Sequence, residues 1–118
     1  MCSKFFVNKE NLVTVGIPSY KRPELLQNAL NSLKEQTYEQ IKIIVGINGK
    51  KDEIEKYKII RDNFKDNLNI EFHFHNKNIG SINNFIYLLN ICNTKYFMWL
   101  ADDDRISPNL IESSLSIS

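Results

Sequence analysis

The chain has 118 residues, of which 42% are hydrophobic and 25% charged, with a net charge of +1. Those values suit one ordinary globular domain and supply no overall field that would gather nucleic acid or an anionic membrane. No apolar run approaches the roughly 20 residues needed to cross a bilayer.

The opening residues, Met1 to Glu10, lack the long apolar core of a signal peptide. Cys2 and Cys92 give neither a disulfide framework nor a metal spacing, and Cys92 is expected to pack as a small apolar helix residue. Leu12 to Ile17 reads as a short apolar strand ended by Pro18-Ser19-Tyr20. Pro23 then suits the first helical position, and Leu25, Leu26, Ala29, Leu30 and Leu33 recur at helical spacing. Ile41 to Ile47 is a second strand, stopped by Asn48-Gly49. A helix is expected from Asp52 to about Phe64, burying Ile54, Tyr57, Ile60 and Phe64. Asn69 to His75 alternates, with Ile70, Phe72 and Phe74 on one face and Glu71, His73 and His75 on the other, as in a half-exposed edge strand.

After the turn Asn76 to Gly80, Ser81 is placed to cap a helix carrying Ile82, Phe85, Ile86, Leu89 and Cys92. Lys95 to Leu100 is apolar enough to be a central strand, with Trp99 in the core, and Ser107-Pro108 opens a last helix. Strict alternation of strands and helices argues an α/β fold, with a mainly parallel sheet and helices on both faces. Ligands of such sheets bind beyond the carboxyl ends of the strands, where the strand order reverses. Two loops there look chemically unusual: Pro18 to Arg22 after the first strand, and Asp102-Asp103-Asp104 after the fourth. If the two strands are neighbours, both loops line one crevice.

Three successive carboxylates at the end of a strand repel one another unless a cation or hydrogen-bond donors offset them. A hard divalent ion, Mn2+ or Mg2+, is suited to such a cluster and completes its shell with phosphate oxygens. The alternative is a solvated turn ahead of the last helix. His73 and His75 share a face, but a lone exposed pair is most simply just that. Lys50-Lys51 reads as a solvated turn.

The stretch Val13 to Leu26 resembles the opening of family 2 glycosyltransferases with the GT-A fold. Ala29 to Tyr38, Asn78-Ile79-Gly80, Asn84-Phe85, and Lys95 to Asp104 continue that resemblance in order. It implies a Rossmann-like GT-A three-layer sandwich, with residues 1–118 as the N-terminal nucleotide-diphospho-sugar-binding part of the domain and the acceptor half absent. The implied activity is inverting transfer of a sugar from a nucleotide-diphosphate donor to a hydroxyl of a sugar or glycolipid, in polysaccharide or glycoconjugate synthesis. The implied nucleotide contacts are Pro18, Ser19, Tyr20, Asn48 and Asp102, and the implied metal ligands are Asp102, Asp103 and Asp104, with Asp103 and Asp104 the better metal candidates and Asp102 at the ribose or in the metal shell. Tyr20 is equally readable as a core aromatic, and Arg22 as a solvated residue or a phosphate contact.

Two positions depart from the family pattern. Ile47 and Asn48 stand where relatives often carry an acidic pair, although Asn48 can both donate and accept. Asn84-Phe85 stands where many carry a basic residue. The catalytic base is expected beyond Ser118. The expected setting is the cytoplasm, or the periphery of the inner membrane face, with self-association through an exposed sheet edge. A remnant that only binds nucleotide, or a partner-binding α/β module, is the competing interpretation. A phosphoacceptor receiver domain fails, because the first and third strands end in Ile17-Pro18-Ser19 and His75-Asn76 rather than in acids.

Overall fold

The computed structural model describes residues 12–49, 51–75 and 77–117; Cys2, Lys50 and Asn76 therefore lie outside the described residues. Along the chain come β1 (Val13–Tyr20), α1 (Pro23–Lys34), β2 (Ile41–Asn48), α2 (Lys51–Phe64), β3 (Ile70–Phe74), α3 (Ser81–Ile91), β4 (Tyr96–Trp99) and α4 (Leu110–Ile117). The strands form one sheet in the order β3-β2-β1-β4, and every pairing is parallel. The chain steps outward from β1 to β3 and then returns to the other side of β1 for β4, so the order reverses between β1 and β4.

One face of the sheet is apolar throughout. Val13, Val15 and Ile17 of β1 and Ile43, Val45 and Ile47 of β2 pack against Leu26, Ala29, Leu30 and Leu33 of α1 and Tyr57, Ile60 and Phe64 of α2. Ile111 of α4 joins the same cluster. Leu25, grouped by spacing with the buried residues of α1, is instead 40% exposed. Gln36 ties α4 to α1: its Nε2 donates to Ser107 O at 2.6 Å, and its Oε1 accepts from Ile111 N at 3.3 Å.

The opposite face mixes small and polar residues with Ile44, Phe97 and Trp99. Gly16 and Gly46 let α3 approach closely, with Leu88 and Asn84 directly above them. Asn84 is 1% exposed and fully engaged: its Nδ2 donates to Gly46 O at 2.9 Å, and its Oδ1 lies 2.9 Å from His75 Nε2. Tyr87 stacks edge-on against both His73 and His75. The apolar stripe of α3 points the other way, and Ile82, Phe85, Ile86 and Leu89 are exposed.

Several expectations need correction. β4 is an edge strand among the described residues, not a central one, and Trp99 is 44% exposed against Phe85 and Phe97 rather than in the core. An all-apolar strand meant burial only if both neighbours were present. β1 does not stop at Ile17 but runs through Pro18 to Tyr20. Proline is tolerated there because pairing with β4 ends at Gly16↔Trp99, so no partner needs its missing N–H. Gly80, not Ser81, is the N-cap of α3; at φ 87 it occupies backbone space that other residues rarely adopt. Cys92 sits at the C-cap of α3, half-buried, and not within the helix. The edge position of β3 and Pro23 at the start of α1 are as expected.

Candidate functional site

Because β1 and β4 are adjacent and parallel, the loops that follow them open on the same end of the sheet. Between them and the start of α3 lies a cleft of about 500 Å³, lined by Pro18, Ser19, Tyr20, Arg22, Asn48 and Asp102, with Asn84, Phe85 and Asp103 among the rest. Every expected nucleotide contact is therefore brought to one place, and of the three aspartates Asp102 and Asp103 reach it. Asp104 does not line the cleft; it is exposed, and its N–H closes a turn onto Ala101 O at 3.1 Å.

Alternation along β1 decides what its end can offer. Pro18 and Tyr20 lie on the α3 side, and Tyr20 is 40% exposed with Lys21 Nζ 5.1 Å from its ring centre, so it is no core aromatic. Ser19 faces the other way, into the protein, where it is 2% exposed. Its Oγ donates to Asp102 Oδ2 at 2.8 Å and lies 2.8 Å from the Tyr57 hydroxyl. The Tyr57 oxygen also accepts from Arg22 N at 3.1 Å. Tyr57 comes from the middle of α2 and is wholly buried.

Asp102 is thus a buried carboxylate, 6% exposed, and burial pushes its pKa up. The Ser19 hydrogen bond, the Arg22 charge and the Tyr20 backbone N–H oppose that rise, while the neighbouring Asp103 adds to it. Arg22 Nη1 stands 3.7 Å from Asp102 Oδ1 and 3.2 Å from Asp103 Oδ2. The offsetting cation at the aspartate run is therefore a side chain from the β1–α1 turn. Burial likewise raises the Tyr57 phenol, against its hydrogen bonds with Ser19 and Arg22 N. Lys21, at φ 58, makes the sharp turn that carries the chain from Tyr20 to Arg22.

Asn48 is 2% exposed at the end of β2, and both ends of its amide are occupied. Its Nδ2 donates to Gly80 O at 3.1 Å, and its Oδ1 accepts from Ile79 N at 3.2 Å, so it fastens the loop before α3 to the sheet. Asn78 Oδ1 accepts from Gly80 N at 2.9 Å and tightens the same turn.

Among the described residues no three His, Cys, Asp or Glu side chains converge as a metal cluster. Two carboxylates already converge on a single cationic group, however, and that matches what Mg2+ or Mn2+ takes from a protein when phosphate oxygens complete the shell. His73 does not pair with His75: its Nε2 faces Glu71 at 3.2 Å and its Nδ1 faces the Tyr87 hydroxyl at 3.0 Å.

Two contributors to the site were not read from the sequence. Tyr57 was assigned to the core by its helical spacing, although a tyrosine at a fully buried position needs a partner for its hydroxyl. Asn84 stands in the sequence both as part of the resemblance and where many relatives carry a basic residue, but its place over Gly46 depends on the packing of α3.

These features define a doubly wound α/β domain with an acidic crevice at the point where its strand order reverses. The family model for glycosyl transferase family 2 matches residues 14–116, and the chain belongs to that family. An uncharacterized glycosyltransferase of Rickettsia bellii is 33% identical over 106 residues, covering 90% of this chain and 15% of that protein. One of Rickettsia typhi is 32% identical, again over 90% of this chain but 31% of its own length. The chain thus spans less than a third of these relatives.

Among solved structures, S. aureus TarS (residues 1–349) in complex with UDP-GlcNAc superposes with a TM-score of 0.79 at 18% identity, over 89% of this chain and 30% of that one. A Pyrobaculum calidifontis mannosyltransferase in complex with GDP-Man and Mn2+ gives 0.68 at 16% identity, over 79% of this chain and 28% of that one. The fold is the Rossmann-like GT-A sandwich, in part.

Proposed function

We propose that this chain forms the donor side of an inverting glycosyltransferase, binding a nucleotide-diphosphate sugar in the cleft beyond β1 and β4. The observation that carries the reading is the convergence of Asp102 and Asp103 on one cationic group, in the crevice where the strand order reverses. Pro18 and Tyr20 offer an apolar wall to base or ribose, and Asn48 shapes the opposite wall by holding the loop at Gly80. Asp102 and Asp103 would hold Mn2+ or Mg2+, and Asp104 stays outside the lining as a weaker candidate. A divalent ion there supplies charge to offset a departing nucleoside diphosphate. No side chain of the cleft is assigned as the base that deprotonates an acceptor, and polysaccharide or glycoconjugate synthesis follows only from the family.

Thermal unfolding tests this reading. With Mn2+ present, at least one of uridine, guanosine and thymidine diphosphate should raise the midpoint, because a ligand that binds only the folded state stabilises it. A midpoint unmoved by all three contradicts it. We further propose that the edge of β4, unpaired among the described residues and carrying exposed Trp99 against Phe85, pairs with a second copy of the chain. Sedimentation equilibrium should then report a dimer, and a monomer at high concentration contradicts this part.

A further inference from the structure

We propose that Tyr57 is a positioning residue for Asp102: through Ser19 it fixes the carboxylate oxygen Oδ2 in place and so sets how the carboxylate is presented to the cleft. The proposal rests on the reading of Asp102 as a donor-site contact, and it adds a residue from a helix that does not line the cleft at all.

The direction of the hydrogen bonds follows from the chemistry of each group. Arg22 N can only donate, so the Tyr57 oxygen accepts at 3.1 Å. The ionised Asp102 carboxylate can only accept, so Ser19 spends its single proton on Oδ2 at 2.8 Å. The remaining contact, 2.8 Å between Ser19 Oγ and the Tyr57 hydroxyl, therefore has Tyr57 donating. The result is a one-way chain from the Arg22 backbone through Tyr57 and Ser19 to Asp102. Tyr57 and Ser19 are both buried, so water cannot stand in for a lost member. Bonds aligned head to tail polarise one another, which strengthens the last one onto the carboxylate.

Two consequences follow at Asp102. Oδ2 is occupied, and the carboxylate cannot swing without leaving the Ser19 hydroxyl unsatisfied. Oδ1 faces Arg22 Nη1 at 3.7 Å, beyond hydrogen-bond length, and the Tyr20 backbone N–H also bonds the carboxylate. The carboxylate held in this orientation is what a cation or a ribose hydroxyl meets. Arg22 serves at both ends, with its backbone starting the chain and its guanidinium balancing the carboxylates until a ligand arrives. Ser19 accordingly acts from behind Asp102 and not by touching the nucleotide with its hydroxyl.

The test compares the intact chain with Tyr57→Phe, Ser19→Ala, Ser19→Thr and the Tyr57→Phe/Ser19→Ala double variant. The carboxyl carbon NMR signal of Asp102 is read without ligand, at a pH where the group is ionised. Tyr57→Phe and Ser19→Ala should each move it, the double variant should move it no further than Ser19→Ala, and Ser19→Thr should restore it. The Asp104 signal should stay put. Uridine diphosphate affinity with Mn2+ should fall about fivefold in Tyr57→Phe, the usual worth of one neutral hydrogen bond. An Asp102 signal unmoved by Tyr57→Phe, or one moved additively in the double variant, overturns the positioning role. Unchanged uridine diphosphate affinity in Asp102→Asn overturns instead the donor-site reading on which it rests, so the two failures are told apart.

Discussion

The body of β1 and its carboxyl end are made of different material. On the α1 and α2 side, Val13, Val15 and Ile17 are apolar and sealed under Leu26, Leu30 and Tyr57. At its carboxyl end the same strand turns to Ser19, Tyr20 and Arg22, which meet carboxylates across the gap to β4. The first region gives stability without chemistry. The second buries one carboxylate, Asp102, with the hydroxyls of Ser19 and Tyr57, an arrangement that burial alone disfavours and that only a complete hydrogen-bond network makes tolerable. Stability and binding are therefore expected to separate under mutation.

The largest effect should come from the sealed region. Leu30 is fully buried, and Leu30→Ala should cost about 2–5 kcal/mol in urea unfolding by leaving a cavity. Next is the α3 face. In Gly46→Ala the new methyl group runs into Asn84 Oδ1 and sits 3.2 Å from Leu88, so a loss of about 1–3 kcal/mol is expected, with α3 displaced from the sheet. An unchanged unfolding curve would mean that Asn84 is not held as described.

The third prediction crosses into the cleft. Burial raises the Asp102 pKa above its ordinary 3.8, so the folded state favours the neutral acid. The associated stability is complete below the unfolded pKa and is lost as pH rises through the raised folded value. Asp102→Asn should remove that slope and be at least as stable as the parent chain at neutral pH, while losing nucleotide binding. A variant that is clearly less stable at neutral pH would place Asp102 with the stabilising region instead.

The smallest effect is at the far edge. Burial alone would raise the Glu71 pKa, but the hydrogen bonds from Lys42 and His73 outweigh it and hold the carboxyl below 4.5. Its contribution is present above the unfolded pKa and lost as pH falls through the lowered value. Glu71 is 49% exposed, so Glu71→Gln should flatten acid unfolding by no more than about 0.5 kcal/mol.

The same contrast explains what the sequence disclosed. Alternation and helical spacing gave the order of elements, because the α1–α2 face is built from apolar residues that announce themselves. The resemblance singled out Pro18, Ser19, Tyr20, Asn48 and the three aspartates, and all of them but Asp104 line the one cleft. Spacing failed where packing runs against it: α3 buries Asn84 and Leu88 and leaves Phe85 and Leu89 outside, because glycines beneath it select the polar face. It also missed the hydroxyl of Tyr57 and the partners of Ser19, which lie 38 and 83 positions from Ser19 along the chain. Hydrogen bonds over such separations leave no periodic signal.

The central claim is that Asp102 and Asp103 hold a nucleoside diphosphate through a divalent ion. Calorimetric titration of the chain with uridine and guanosine diphosphates, with and without Mn2+, beside an Asp102→Asn/Asp103→Asn variant, tests it most directly. Binding of either nucleotide that needs both the metal and the two carboxylates is the predicted result. Binding that survives loss of the metal or of the carboxylates, or no binding of either nucleotide to the intact chain, would contradict it.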